Sequence, residues 1–142
     1  MSRHDAGQYA EEKHPEWGRL AVCVNKEPWQ DFCVEPPCGQ FNVLNEKLYE
    51  VLGEMFREWL GMFDSDVFHM GGDEVNFDCW MSEPEFIDYM KKHNKNGTKE
   101  DYLDLWRDFQ DKAFTKVSEA AGKTLPAIIW TNSMTGTKIP KL

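Results

Sequence analysis

The residues whose types and spacing could do chemistry concentrate in one stretch, His69-Met70-Gly71-Gly72-Asp73-Glu74-Val75, with Cys79-Trp80 just beyond it. Asp66-Val67-Phe68 leads in, so a short apolar run is followed by two glycines and two adjacent carboxylates, the pattern of a buried strand emptying into an acidic pocket. Successive side chains of a strand point to opposite faces. Asp73 and Glu74 therefore share a pocket only if the chain leaves strand geometry, which Gly71 and Gly72 permit. Neighbouring acids resist joint ionisation, which favours one proton being kept for general acid work. On the residues alone three roles stay open for the pair: an ordinary acidic loop or helix start, a metal site that would include His69, or acid catalysis.

Aromatic residues flank this stretch. Trp80, shortly after the acids, and Trp130, at the end of the next apolar run, could wall a sugar-stacking pocket or simply pack under its rim. His69 is expected as a neutral, hydrogen-bonded ring at that rim. His4 and His14 have no partner discernible from spacing. There is no Gly-x-Ser-x-Gly elbow for a serine nucleophile, and a phosphate set against Gly71-Gly72-Asp73 would meet carboxylates. Nothing here calls for a metal or a cofactor.

Several elements must position these residues. Asn42 is a plausible cap for a helix to about Leu60, with Leu44, Leu48, Val51, Leu52, Met55, Phe56, Trp59 and Leu60 at three-to-four spacing and Gly61 as its stop. Ser82 with Glu85 matches a capping box around Pro84, and Thr98 with Asp101 opens a longer helix to about Ala121, closed by Gly122. Leu125 to Trp130 reads as a second strand with a polar tail, Thr131-Asn132-Ser133. Helix, strand, helices, strand is the order of a parallel α/β sheet, yet two strands neither close a barrel nor bury both faces of a sheet. A piece of a larger β/α domain is the expectation.

Before these elements, residues 1–20 are polar and aperiodic and are expected as loop or a frayed half-helix. Cys23 to Gln40 then carries three cysteines and three prolines, a loop long enough to be functional or a cross-linked surface lobe. The four cysteines, at 23, 33, 38 and 79, allow three fully paired connectivities, with buried free thiols as the alternative and metal disfavoured by the absence of CxxC spacing. Asn96-Gly97-Thr98 is a lone glycosylation sequon.

A net charge of -9 speaks against nucleic acid or an anionic membrane as partner, and 41% apolar residues speak against disorder. No run approaches the length of a membrane span, and the first residues lack the basic-then-apolar order of a signal peptide, so no export signal is expected within the chain.

His69-Met70-Gly71-Gly72-Asp73-Glu74-Val75 followed by Cys79-Trp80 resembles the catalytic stretch of family 20 glycoside hydrolases, the β-N-acetylhexosaminidases. Trp29-Gln30-Asp31-Phe32-Cys33-Val34-Glu35-Pro36-Pro37-Cys38-Gly39-Gln40-Phe41-Asn42 is similar to the loop before the catalytic strand in arthropod members that degrade chitin oligomers, and Leu125 to Thr131 to their next strand. The resemblance covers nearly the whole chain. It implies a fragment of a (β/α)8 TIM barrel, from about the end of strand 3 to strand 5, with residues 1–41 as the cysteine- and proline-rich loop region and 42–142 as helix, catalytic strand, two helices and next strand.

The resemblance further implies a retaining hydrolase of terminal N-acetylglucosamine or N-acetylgalactosamine residues, in chitooligosaccharides or N-glycans. Glu74 would be general acid and then base, and Asp73 would support the substrate's own 2-acetamido group as it attacks the anomeric carbon. Trp130 would box in the sugar, His69 would contact substrate at the rim, and Trp80 would be a weaker contact. It places the enzyme outside the cell or in the lysosome, leaves homodimerisation open, and puts the remaining pocket walls outside the chain, so little activity is expected of the 142 residues by themselves. The rival expectation is a non-catalytic sugar-binding or structural remnant of the same fold.

Overall fold

The protein is described by a computed structural model over residues 10–130. His4 and the Thr131-Asn132-Ser133 tail lie outside these residues. The architecture is mixed α/β: a 3-10 turn at Pro15–Trp17, then β1 (Ala21–Val22), α1 (Trp29–Phe32), β2 (Gln40–Phe41), α2 (Glu46–Met62), β3 (Phe68–Gly71), α3 (Phe77–Met81), α4 (Pro84–Lys92), α5 (Lys99–Ala121) and β4 (Ala127–Ile129). Among the described residues the strands form two separate pairs, β1 with β2 antiparallel and β3 with β4 parallel, and no closed barrel.

The long helices form where the apolar spacing requires, but the start of α2 is set by tertiary partners. The α2 cap is Asn45, not Asn42: its side chain accepts from the Lys47 N–H and donates to the Trp17 and Arg19 carbonyls. Asn42 is buried and otherwise engaged, donating to the Arg19 carbonyl and to the Glu85 carboxylate. Gly61 does not stop the helix, which runs on to Met62 and leaves through an extended Phe63, so no left-handed residue is needed there. The Ser82–Glu85 capping box is absent for the same kind of reason. Ser82 ends α3, with its hydroxyl on the Cys79 carbonyl, while Glu85 goes to Asn42 and Arg19. Glu83 occupies the cap position of α4 without capping it, its buried carboxylate being held by Arg19 at 3.0 Å and Lys26 at 3.3 Å.

The second box forms as the spacing predicts. Thr98 Oγ1 accepts from the Asp101 N–H, and the bonds that the Asp101 carboxylate accepts from the Thr98 N–H and hydroxyl hold it below the usual carboxylate range. Gly122 closes α5 in the left-handed region, at φ 66°. Asn96 of the sequon is exposed in the turn before this helix.

Two apolar clusters make the core. Leu48, Leu52 and Phe56 of α2 meet Val117 of α5, with Phe68 and Met70 of β3 packed against them. Cys79, Trp80, Phe86 and Met90 meet Tyr102, Leu105 and Trp106 near the start of α5, with Val22 and Cys23 completing the cluster. The cysteine-rich region is a lobe cross-linked twice, Cys23 to Cys79 and Cys33 to Cys38, and no cysteine is free. Its short strands and the α1 turn replace the plain loop that its composition suggests.

The β3–β4 pair is covered on one face only. Phe68, Met70 and Ile129 pack inward, whereas Ile128 is 48% and Trp130 55% exposed, with His69 beside them on the open face. Parallel strands normally bury both faces. No helix among the described residues is long and apolar enough to cross a membrane.

Candidate active site

β3 delivers the two carboxylates by abandoning strand geometry at its last residue. The ladder pairs Phe68 with Ala127 and His69 with Ile128, then slips so that Gly71 faces Ile129. The Gly71 carbonyl still accepts from the Trp130 N–H at 2.8 Å, so the two strand ends stay together while the chain turns away. Gly71 has φ 69°, Gly72 φ 100° and Glu74 φ 58°, which places three of the four residues from 71 to 74 at positive φ. Two of them are glycines, for which this region carries little penalty. Glu74 is not, and an L-residue held there stores strain of about 1–3 kcal/mol, a pattern concentrated at functional sites. The expected role of the glycines is thus met, and Glu74 adds a bend of its own.

Gly72 has a second reason to lack a side chain. A Cβ there would stand 3.0 Å from Ile129 Cγ2, 3.2 Å from Gln110 Nε2 and 3.3 Å from Trp106 Cζ2, because the turn rests on α5 and β4. Around Gly71 nothing lies within 4 Å. Gly72→Ala is accordingly expected to lower unfolding stability by about 1–3 kcal/mol, against about 1 kcal/mol for Gly71→Ala, where only the backbone term applies. Urea unfolding of the two variants checks this, and equal losses would remove the close-packing argument.

Asp73 and Glu74 both line a cleft of about 450 Å³ between β3 and the helices α2 and α5, shared with His69, Leu52, Phe56, Trp80, Trp106 and Gln110 and not with Trp130. Both acids are half-buried. His69 is exposed and its Nδ1 accepts from the Gly71 N–H at 3.0 Å, a bond that turns the ring toward the end of its own strand. Its ring lies 4.7 Å from that of Trp130, tilted by 56°. His69 and Trp130 therefore form an aromatic edge on the open face of the strand pair, directly beside the carboxylate turn.

Trp80 lines the same cleft but is sealed in the core. It is 1% exposed, stacked between Phe77 and Phe86, with its indole N–H donating to the Phe41 carbonyl. The structure gives it the packing role, beneath the turn. His14 lies apart from this set, its ring stacked on Trp17 at 3.8 Å. No group of three or more His, Cys, Asp or Glu among the described residues could hold a metal ion.

Two further residues bear on the site and carry no mark in the sequence. Asn76, two residues after Glu74, caps α3 through its side chain. Gln40, the last residue of the cysteine–proline loop, is 6% exposed and hydrogen-bonds both the N–H and the carbonyl of Asn76. The partners are 36 positions apart, a distance at which no periodicity or cap pattern operates.

The geometry sets two half-buried carboxylates just past the end of a parallel strand whose open face carries His69 and Trp130. Comparison with known proteins bears on the chain as a whole. The model of the glycosyl hydrolase family 20 catalytic domain matches residues 7–141. The chain is 44% identical over 120 residues to a chitooligosaccharidolytic beta-N-acetylglucosaminidase of Ostrinia furnacalis, covering 84% of this chain and 20% of that protein. It is 46% identical over 117 residues to the protein of that description from Bombyx mori, covering 82% and 20%, and 36% identical over 124 residues to a probable beta-hexosaminidase, fdl, of Drosophila melanogaster, covering 85% and 17%. The chain spans about a fifth of the length of these relatives.

Proposed function

The chain belongs to glycosyl hydrolase family 20, and from that membership we propose that it carries the acid–base turn of a retaining β-N-acetylhexosaminidase acting on terminal N-acetylglucosamine or N-acetylgalactosamine residues. The observation that carries the reading is the positive φ at Gly71, Gly72 and Glu74, which turns the chain out of strand geometry at the residues bearing the two carboxylates, at the end of a parallel strand. In this reading β3 and β4 are the fourth and fifth strands of a (β/α)8 barrel, where catalytic groups sit at strand C-terminal ends. The exposed Ile128 and Trp130 fit it, since the face they occupy would look into the barrel. Residues 1–41 would then be the loop region ahead of the catalytic strand.

In the first step Glu74 gives its proton to the glycosidic oxygen as the bond from that oxygen to the anomeric carbon breaks. The carbonyl oxygen of the substrate's 2-acetamido group forms the new bond to that carbon. Asp73 accepts the acetamido N–H and offsets the positive charge that develops on this group. In the second step the Glu74 carboxylate takes a proton from water, whose oxygen attacks the anomeric carbon and releases the acetamido group, so the configuration is retained. No enzyme nucleophile is needed, which suits two acids adjacent in sequence; paired carboxylates of ordinary retaining glycosidases stand about 5 Å apart across the bond. Trp130, with His69 against it, supplies an apolar face for the sugar ring.

Chitooligosaccharides are the favoured substrates, on the likeness to the two moth proteins. A secreted or lysosomal setting agrees with two disulfides, which persist in oxidising compartments, and with an exposed Asn96 able to carry a glycan. The reading is tested with the complete protein on an aryl N-acetyl-β-glucosaminide and on the matching aryl β-glucoside. Turnover is expected of the first alone, because the second lacks the acetamido oxygen. Comparable turnover of both would exclude substrate assistance, and turnover of neither would favour the sugar-binding alternative. The 142 residues by themselves are expected to turn over neither, because transition-state stabilisation draws on preorganised groups from the rest of the pocket.

A further inference from the structure

The turn that carries the acids is tethered at both ends. At the first, the Gly71 carbonyl accepts from the Trp130 N–H at 2.8 Å. At the second, a side chain takes the place of a strand partner: Gln40 Oε1 accepts from the Asn76 N–H at 2.9 Å, and Gln40 Nε2 donates to the Asn76 carbonyl at 3.1 Å. A primary amide matches a peptide group in both donor and acceptor, so this pairing needs Gln and cannot be reproduced by Glu. Asn76 passes the constraint onward. Its Oδ1 accepts from the Asp78 and Cys79 N–H groups at the start of α3, and its Nδ2 donates to the Asp31 carbonyl of α1 at 3.3 Å. Cys79 is itself bonded to Cys23.

From this arrangement we infer that Gln40, acting through Asn76, is a positioning residue for Glu74, setting the direction in which the 71–74 turn presents its carboxylate. The inference rests on the reading of Glu74 as acid and base. Its physical basis is that a turn with three residues at positive φ is not held by local preference and would relax if one end were released. Gln40 is 6% exposed, so its removal leaves the Asn76 peptide without a ready solvent substitute. The cysteine–proline loop thereby gains a role in the chemistry, because its last residues, Gly39 and Gln40, deliver this amide to the turn.

The test uses the complete protein with Gln40→Met, which keeps the shape and removes both hydrogen bonds, and Gln40→Asn, which keeps both groups on a shorter arm and serves as well should the Met variant not fold. Amide hydrogen exchange is read over residues 72–79. The kcat and KM are read on an alkyl N-acetyl-β-glucosaminide, whose leaving group needs a proton, and on an activated aryl one, whose leaving group needs little. Faster exchange confined to 72–79 is expected, with a fall in kcat of about 10- to 100-fold on the alkyl substrate, a markedly smaller fall on the aryl one, and KM within about threefold. Unchanged exchange at 72–79 would overturn the inference. So would an equal loss on both substrates that follows a fall in melting temperature, which is the mark of a merely structural residue. A wild-type protein that hydrolyses neither substrate would overturn the functional reading instead, and the exchange data would still decide whether Gln40 holds the turn.

Discussion

Replacing Glu74 with Gln in the complete protein is expected to lower kcat on an alkyl or oligosaccharide substrate by about 10²- to 10⁴-fold, the usual contribution of a positioned general acid and base, with KM changed only a few-fold. The amide keeps the size of the side chain and some of its hydrogen bonding, so the backbone at φ 58° has no new reason to move. What it lacks is the proton to give in the first step and the lone pair to receive one in the second. The loss should therefore persist in part with an activated leaving group, because hydrolysis of the acetamido-linked intermediate still needs a base. Replacing Gln40, which leaves the carboxyl in place but aims it poorly, should cost less than Glu74→Gln on both substrates. A change in kcat of less than about threefold in Glu74→Gln would remove the acid–base role. Activity that survives chelation would at the same time exclude the metal-dependent hydrolase that the residues alone left open.

The second large effect concerns the link between the lobe and the turn. Cys23 and Cys79 join positions 56 residues apart, and both are buried in one of the two apolar clusters. Loop closure on that scale is worth about 4 kcal/mol in the chain-entropy model, between the values for loops of 15 and 100 residues. The Cys33–Cys38 bridge closes only 5 positions and should contribute less than the 15-residue value of about 3 kcal/mol. Replacing each pair by alanines and following urea unfolding should give the larger loss for the Cys23–Cys79 pair. Equal losses would mean that the long bridge adds no constraint beyond the packing around it. Because Cys79 lies in the helix that Asn76 caps, the same variant should also lower kcat, whereas loss of the short bridge should bear mainly on the lobe.

Both expectations depend on features set at different levels of structure. The apolar run, Gly71-Gly72 and Asp73-Glu74 could be read from the chain because each works locally: strand alternation, glycine freedom and the adjacency of two charges need no distant partner. The two long helices were legible for the same reason, as was the Thr98–Asp101 box, whose partners lie within one turn. The Ser82–Glu85 box had equal local merit and did not form, because Asn42, Arg19 and Lys26 engage Ser82, Glu83 and Glu85 in other contacts. Asn42 lost the α2 cap to Asn45 in the same exchange. Trp80 and Trp130 are one residue type with opposite fates, one sealed between Phe77 and Phe86 and one open beside His69, and only the packing of α3 and β4 distinguishes them.

By itself, then, the sequence determined where the chain bends and which acids the bend carries, since those follow from covalent geometry and near neighbours. The tertiary structure alone decided which cysteines pair, which polar side chains become anchors, and that Gln40 grips Asn76 across 36 positions. Such pairings depend on how elements distant in the chain come to lie together, and burial then makes each one obligatory, because a polar group withdrawn from water must find its partner inside the protein.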